Sequence, residues 1–347
     1  MYEVDFLPVE AVEGGSTKSG DAISMRFSVT GSVDPAVVII DGGFGAVGES
    51  LSEHVAEYYG SRRVDLVIST HPDGDHLNGL IKVLELCEVG ELMMHLPWKH
   101  NAYASDMTNY EKIVELYDLA VEKGIPVTEP FTGEVRFGGA LRVVGPTVEF
   151  YEEQLSSELA AGTSVAELSA SFGSFGTRVV AMAKRVLERT LASFPIETLS
   201  NADETSARNK ASVITLVQAD GKRMLFTGDA GIPSLEHAAT EYERVVGDFS
   251  DYPLNIFQAP HHGSHRNVGP DILDRILGAK GQPFGDTSAI ISSAELSEKH
   301  PSPKVTNALG RRGARVNVTE GKTVCYGATG RVGWVTQEPL PPLEEDE

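Results

Sequence analysis

Six consecutive residues, His71-Pro72-Asp73-Gly74-Asp75-His76, restrict the folds open to this chain more than any other feature. Four of them carry side chains that ligate divalent metals. They follow directly on an apolar run, Val64–Ser69, that reads as a β-strand. Histidine and carboxylate together suit zinc or manganese. Alternation at 71, 73 and 75 predicts side chains aimed the same way in an extended loop, with His76 turned to a second centre and Gly74 relieving backbone crowding. Loops that hold ions need a rigid frame, so other strand ends must converge on this point.

Two later clusters also follow apolar strands. Thr227-Gly228-Asp229 comes after Arg223–Phe226, and Pro260-His261-His262-Gly263-Ser264-His265 comes after Leu254–Gln258. A TGD triplet alone is commonly a turn. Beside the first cluster, Asp229 becomes the natural carboxylate to bridge two ions. Three histidines in five residues suit a metal or phosphate site better than a hydrogen-bonded core.

The rest of the chain alternates short strands with helices. Tyr2–Val9, Ala22–Val29 and Ala36–Ile40 read as strands, with helical spacing over Gly48–Tyr59, Leu80–Leu86 and Tyr110–Glu122. Glu91–Leu96 and Leu141–Val144 return to strand character. Residues 148–206, rich in Ala, Glu, Leu and Ser, read as a helical insertion of two or three helices. The β pattern resumes with Val213–Val217 and Arg223–Phe226, a hairpin around Asp220-Gly221. It continues through Ser288–Ile291, a helix at Lys304–Arg311, and strands Arg315–Thr319, Lys322–Tyr326 and Val332–Thr336. Two β-rich halves with interleaved helices predict a layered α/β domain over residues 1–337, followed by a disordered acidic tail at 338–347.

The order HxDxDH, TGD, PHHGS resembles the metallo-β-lactamase superfamily. Within it, the pattern looks most like the hydrolase domain of the ComEC-type DNA-uptake proteins and their stand-alone relatives. Gly20-Asp21-Ala22-Ile23, Ile40-Asp41-Gly42-Gly43, the Asn209-x-x-Ser212 segment, His300-Pro301 and Thr319 extend the resemblance over about residues 2–336, the insertion apart. It implies an αββα sandwich with two divalent ions, Zn²⁺ or Mn²⁺, at one edge of the sheets. Carried over, His71 and Asp73 hold one ion, Asp75, His76 and His262 the other, and Asp229 bridges. His262 is preferred over His261 because the superfamily's last ligand precedes a glycine. Asp73 stands where the superfamily commonly has histidine. Its further mid-chain histidine is replaced by the Asn209 segment, as in the ComEC-like subgroup, so the first site is rich in oxygen.

A hydroxide shared by two ions needs no Ser or Cys nucleophile. His261 and His300 are then the candidate general acids, with Asp75 assisting, and Asn209, Ser264 and His265 the candidate substrate contacts. Arg266, Lys299 and Lys304 are placed to approach an anionic substrate, and Asp41 to orient a ligand from behind. The resulting expectation is a phosphodiesterase or nuclease. Hydrolysis of a lactone, amide or thioester is the alternative, and a non-catalytic metal-binding sensor or scaffold a third. A formal charge of −21 repels long nucleic acids and favours a small nucleotide or other phosphodiester.

Cys87 and Cys325 read as separate thiols in apolar runs. The opening residues lack the pattern of a secretory signal. No apolar run approaches the ~20 residues of a membrane span. A cytoplasmic protein with no membrane contact is expected, with the insertion available as a homodimer or partner surface.

Overall fold

The computed structural model describes residues 1–13, 16–162, 197–327 and 331–344. Fourteen strands make two mixed sheets of seven. The first comprises β1 (Tyr2–Phe6), β2 (Ala22–Phe27), β3 (Ala36–Gly42), β4 (Leu66–Ile68), β5 (Leu92–Met93), β6 (Val127–Thr128) and β14 (Val324–Tyr326), in the order β6-β5-β4-β3-β2-β1-β14. The second comprises β7 (Val135–Arg136), β8 (Leu141–Gly145), β9 (Ile214–Ala219), β10 (Lys222–Phe226), β11 (Ile256–Gln258), β12 (Ser288–Ile291) and β13 (Arg315–Val318), in simple sequential order. Each sheet has an antiparallel half and a parallel half. β3, β4, β5 and β6 run parallel in one, and β10, β11, β12 and β13 in the other.

The alternation along each strand explains the layering. In β3, Val38 and Ile40 face the second sheet, in a core that also holds Phe6, Met25, Ile68, Val217, Met224 and Phe226. Their neighbours Val37 and Ile39 face outward, beneath helices α1 (Gly45–Tyr59), α2 (Gly74–Leu86) and α3 (Tyr110–Glu122). The second sheet is covered on its outer side by α6 (Ile232–Val245), α7 (Pro270–Leu277) and α8 (Pro303–Arg311). A strand buried on both faces must be apolar at every position, as Val37 to Ile40 are. The result is the αββα sandwich expected.

Several local expectations change. α2 starts at Gly74, well before the apolar periodicity at Leu80 suggested, so the second half of the six-residue motif lies on a helix. Val332–Thr336 forms no strand. Residues 331–344 instead run as a strap across the sandwich, with Leu343 buried and hydrogen-bonded through its backbone to Asn307 of α8. Within the described part of the tail, Leu340 packs on the core of the second sheet, Leu343 is buried, and Leu340 N–H donates to the Val316 carbonyl. Of the helical segment expected at 148–206, α4 covers Val148–Gly162 and α5 (Ala207–Lys210) follows its end. Residues 163–196 lie outside the described residues. No helix among the described residues is long and apolar enough to cross a membrane.

Candidate metal centre

The centre sits where parallel strands from both sheets end. β4 delivers Ser69, Thr70 and His71, β10 delivers Asp229, and β11 delivers His261 and His262. Loops after the ends of parallel strands are where side chains from separate segments can converge. Asp73 takes an extended conformation and α2 begins at the next residue. Asp75 and His76 therefore occupy its first turn rather than an extended loop, and helix geometry turns them in different directions. Asp75 there also meets the favourable N-terminal end of the helix dipole.

Two glycines permit the required approach. A Cβ on Gly79 of α2 would lie 1.9 Å from the Gly42 carbonyl oxygen, so only glycine lets α2 settle onto the end of β3 beside Asp41. A Cβ on Gly20 would lie 2.2 Å from the Asp75 carbonyl oxygen. Its absence brings Asp21 into the centre, held by Asp21 N–H donating to Asp75 O at 3.2 Å.

Asp229 is the hub, and its side chain is 3% exposed. One oxygen, Oδ2, faces His71 Nε2 at 3.7 Å and His261 Nε2 at 3.5 Å. The other, Oδ1, faces His76 Nε2 at 3.4 Å and His262 Nε2 at 3.9 Å. Asp73 Oδ2 lies 3.7 Å from His71 Nε2, and Asp75 Oδ2 3.8 Å from His262 Nε2. Asp21, His76, Asp229 and His262 each offer one ligand atom, all within 4.8 Å of one another. His261 and His262 both adopt left-handed backbone, at φ 49° and 55°. Consecutive non-glycine residues in this region are uncommon and costly. Here the strained turn sends two imidazoles to opposite oxygens of Asp229.

Asp41 sets the orientation of two of these rings. Its Oδ1 accepts from Thr70 N–H at 2.8 Å. Its Oδ2 accepts from the Thr70 hydroxyl at 2.6 Å and from His76 Nδ1–H at 2.8 Å. With its proton committed to Asp41, the Thr70 hydroxyl can only accept from His71 Nδ1–H, 3.0 Å away. Both rings then turn a bare Nε2 toward Asp229. His261 is fixed similarly. Asn267 donates its amide to the Asp229 and Ala230 carbonyls, leaving Oδ1 to accept from His261 Nδ1–H at 3.0 Å.

The unpartnered atoms show what this arrangement fits. His71 Nε2, His76 Nε2, Asp229 Oδ1 and both nitrogens of His262 are buried and make no hydrogen bond. Leaving so many buried polar atoms unpaired is costly. Lone pairs converging from imidazole and carboxylate are satisfied together only by cations, and the donor set fits two divalent ions. Burial pushes the Asp229 carboxyl up, but without ions protons on the imidazoles of His261, His76, His262 and His71 hold it well below the usual carboxylate range, and bound cations would take the place of those protons. Burial drives His262 well below the ordinary imidazole value, and the same cause lowers His300 to about 4. Asp21 is raised to about 7, chiefly by burial, with His76 opposing and Asp229 and Asp41 adding to the rise.

The other expected residues fall at graded distances. Asn209 donates to Asp229 Oδ2 at 3.3 Å and takes its place in the centre. The ring of His300 lies 5.6 Å from that of His261 and 6.0 Å from that of His262. Ser264 is buried behind the turn, its hydroxyl accepting from Arg266 N–H at 3.3 Å. His265 is largely exposed and lines a neighbouring cleft rather than the cluster.

Sequence reasoning missed Asp21 as a member of the cluster, as well as Asn267 and Arg208. Arg208 Nε lies 2.6 Å from Asp73 Oδ1, while its Nη1 donates to Glu158 of α4 at 3.2 Å. Gly20-Asp21 and Arg208-Asn209 stand next to motif residues, which is the only sequence signal either offers.

Residues 34–179 match the family model described as the Metallo-beta-lactamase superfamily. Among curated proteins, none matches this chain. Igni18, a metallo hydrolase from the archaeon Ignicoccus hospitalis KIN4/I, is similar at 13% identity and a TM-score of 0.43, over 94% of this chain and 100% of that one. A metallo-beta-lactamase from Pontibacter korlensis is 13% identical, with a TM-score of 0.32, over 70% and 80% of the two chains. CmlA, a diiron beta-hydroxylase from Streptomyces venezuelae, is 13% identical, with a TM-score of 0.36, over 92% of this chain and 46% of that one. The match over residues 34–179, the αββα architecture and the His/Asp cluster agree with a metallo-beta-lactamase-like fold that carries a candidate metal site.

Proposed function

We propose that this chain is a two-metal hydrolase of the ComEC-like kind that cleaves phosphodiester bonds. The observation that carries the reading is the pairing of bare imidazole nitrogens against each oxygen of Asp229. In this reading His71, Asp73 and His261 hold one ion, and Asp21, Asp75, His76 and His262 the other, with Asp229 between them. His261 thus supplies the nitrogen that the first site lacked, and moves from proton donor to ligand. The ions, when bound, supply an activated water near neutral pH and neutralise charge on the phosphoryl oxygens.

The chain's own groups do the rest. Asn209 holds Asp229 and the edge of the substrate pocket. His300, beside His261 and outside the ligand set, is placed to exchange a proton with the leaving oxygen. Asp75, partly exposed at the mouth, is placed to steer water. The abundance of carboxylate donors supports Mn²⁺ beside Zn²⁺. The net charge of −21 supports a small nucleotide over a long polymer.

A second reading, hydrolysis of a lactone, amide or thioester, is favoured by one observation. A small apolar cavity of about 30 Å³, walled by Leu77, Met94, Met107, Ile113 and Leu155, lies against His71 and Arg208 and offers a nonpolar contact for a short acyl group. The deciding experiment is hydrolysis of bis-p-nitrophenyl phosphate by metal-stripped protein with Zn²⁺ or Mn²⁺ restored, against an Asp75→Ala control. Metal-dependent turnover absent from the variant supports the phosphodiesterase. No turnover with two ions bound, together with cleavage of a short-chain lactone or thioester, favours the second reading.

A further inference from the structure

An open cleft of about 150 Å³ is lined by Thr198, Ser200, Glu204, His265 and Lys304. It is linked to the centre by neighbouring imidazoles. His265 comes three residues after His262. His300 lies within electrostatic reach of Asp229 and His261 on one side and of His265 and Lys299 on the other.

The charge here runs against that of the molecule. In a chain with 50 acidic and 29 basic residues, Lys304 and Arg266 both act on His265, and Lys299 acts on the neighbouring His300. Glu204 is the lining carboxylate, and it pairs with Arg266 at 3.8 Å. Among the described residues neither Lys299 nor Lys304 makes a salt bridge, so their charge is not neutralised locally. The effect is felt by His265, whose imidazole is held below its ordinary value first by burial, then by Lys304 and Arg266. Unneutralised cations beside two hydroxyls and an imidazole N–H make a site that an anion satisfies.

We propose that this cleft is a second anion subsite, taking a phosphate that neighbours the scissile phosphodiester. The substrate is then a nucleotide with at least two phosphates rather than an isolated diester. The phosphate makes a charge-assisted contact with Lys304 and hydrogen bonds with His265 and the Ser200 hydroxyl. The substrate assignment rests on the phosphodiesterase reading, while the anion site itself does not.

Two arms separate the two ideas. In the first, inorganic phosphate is titrated calorimetrically into metal-free protein. Binding is expected in the wild type and in an Asp229→Asn variant, and about tenfold weaker in Lys304→Glu, with recovery in Lys304→Arg. No phosphate binding, or equal affinity in Lys304→Glu, overturns the site. In the second, metal-loaded enzyme is given a thymidine dinucleotide with and without a 5′-phosphate. The ratio of kcat/KM values should favour the phosphorylated form and fall about tenfold in Lys304→Glu, with His265→Ala giving a smaller fall. A ratio that ignores Lys304 overturns the subsite and leaves the phosphodiesterase standing. No turnover of either dinucleotide, with phosphate binding intact, overturns the phosphodiesterase and leaves the anion site standing.

Discussion

Asp5 and Asp229 are both deeply buried carboxylates, 0% and 2% exposed, and both are held below the ordinary carboxylate range. Their surroundings are opposite. Asp5 accepts from Tyr59 O–H at 2.6 Å and from both arms of Arg331 at 2.7 and 3.0 Å, with His54 Nε2 at 3.2 Å. Arg331 in turn lies over the rings of Tyr58 and Trp334. Both oxygens of that carboxylate have protein donors. Asp229 has one amide, from Asn209, and is otherwise ringed by imidazole nitrogens that carry lone pairs of their own. A buried acid whose donors come from the protein is a clasp, here locking the 331–344 strap to β1. A buried acid facing acceptors is a site that needs cations. Burial and a depressed pKa do not separate the two cases; the identity of the facing atoms does.

The contrast can be broken at either end. Asp229→Asn should lower turnover by at least about 10³-fold, beyond the cost of losing a single transition-state hydrogen-bond donor, while the metal-free protein keeps its circular dichroism. If it unfolds, Asp229 is a structural acid like Asp5. Arg331→Ala leaves Asp5 buried and unpaired and should cost about 3–5 kcal/mol in a urea titration, with metal stoichiometry unchanged. Saturation with Zn²⁺ or Mn²⁺ at a hundredfold excess over Kd should add about 2.7 kcal/mol of stability. That gain should survive in Arg331→Ala and vanish in Asp229→Asn.

Asp41→Asn loses the anion that orients His76 and Thr70, and should weaken metal binding by about 10–100-fold in competition with a chelator. The smallest effect concerns acid. The folded pKa of Asp5 lies below its unfolded value of about 3.9. Its contribution to stability is therefore complete above that value and is lost as pH falls through the folded one. Asp5→Asn should flatten this part of the acid unfolding curve, and an unaltered slope would remove the clasp from the account.

Much of the site could be read directly. His71 to His76, Asp229 and His261–His262 sit within a few residues of apolar strands, and local spacing alone marks them. The layering was implied by the alternation of apolar strands and helices along the chain, whereas the strand order was not, since Val37 to Ile40 are apolar whichever strands flank them. Helix α2 begins earlier than its apolar period indicates because its first turn, Gly74-Asp75-His76, is polar and carries no apolar period. Leu340 and Leu343 were overlooked because two anchors in an acidic, proline-rich stretch form no pattern, although two suffice to seat a strap.

The sequence by itself determined the layered α/β class and the chemical type of the centre, because both depend on residues close together in the chain. Only the tertiary structure brings each buried acid to the atoms that it faces. Asp21 meets Asp229 across 208 positions, and Asp5 meets Arg331 across 326. It also decided which nitrogen each histidine turns inward, since that depends on Asp41, Thr70 and Asn267 arriving from other segments. A carboxylate's role is set by the atoms it faces, and those atoms are brought to it by folding.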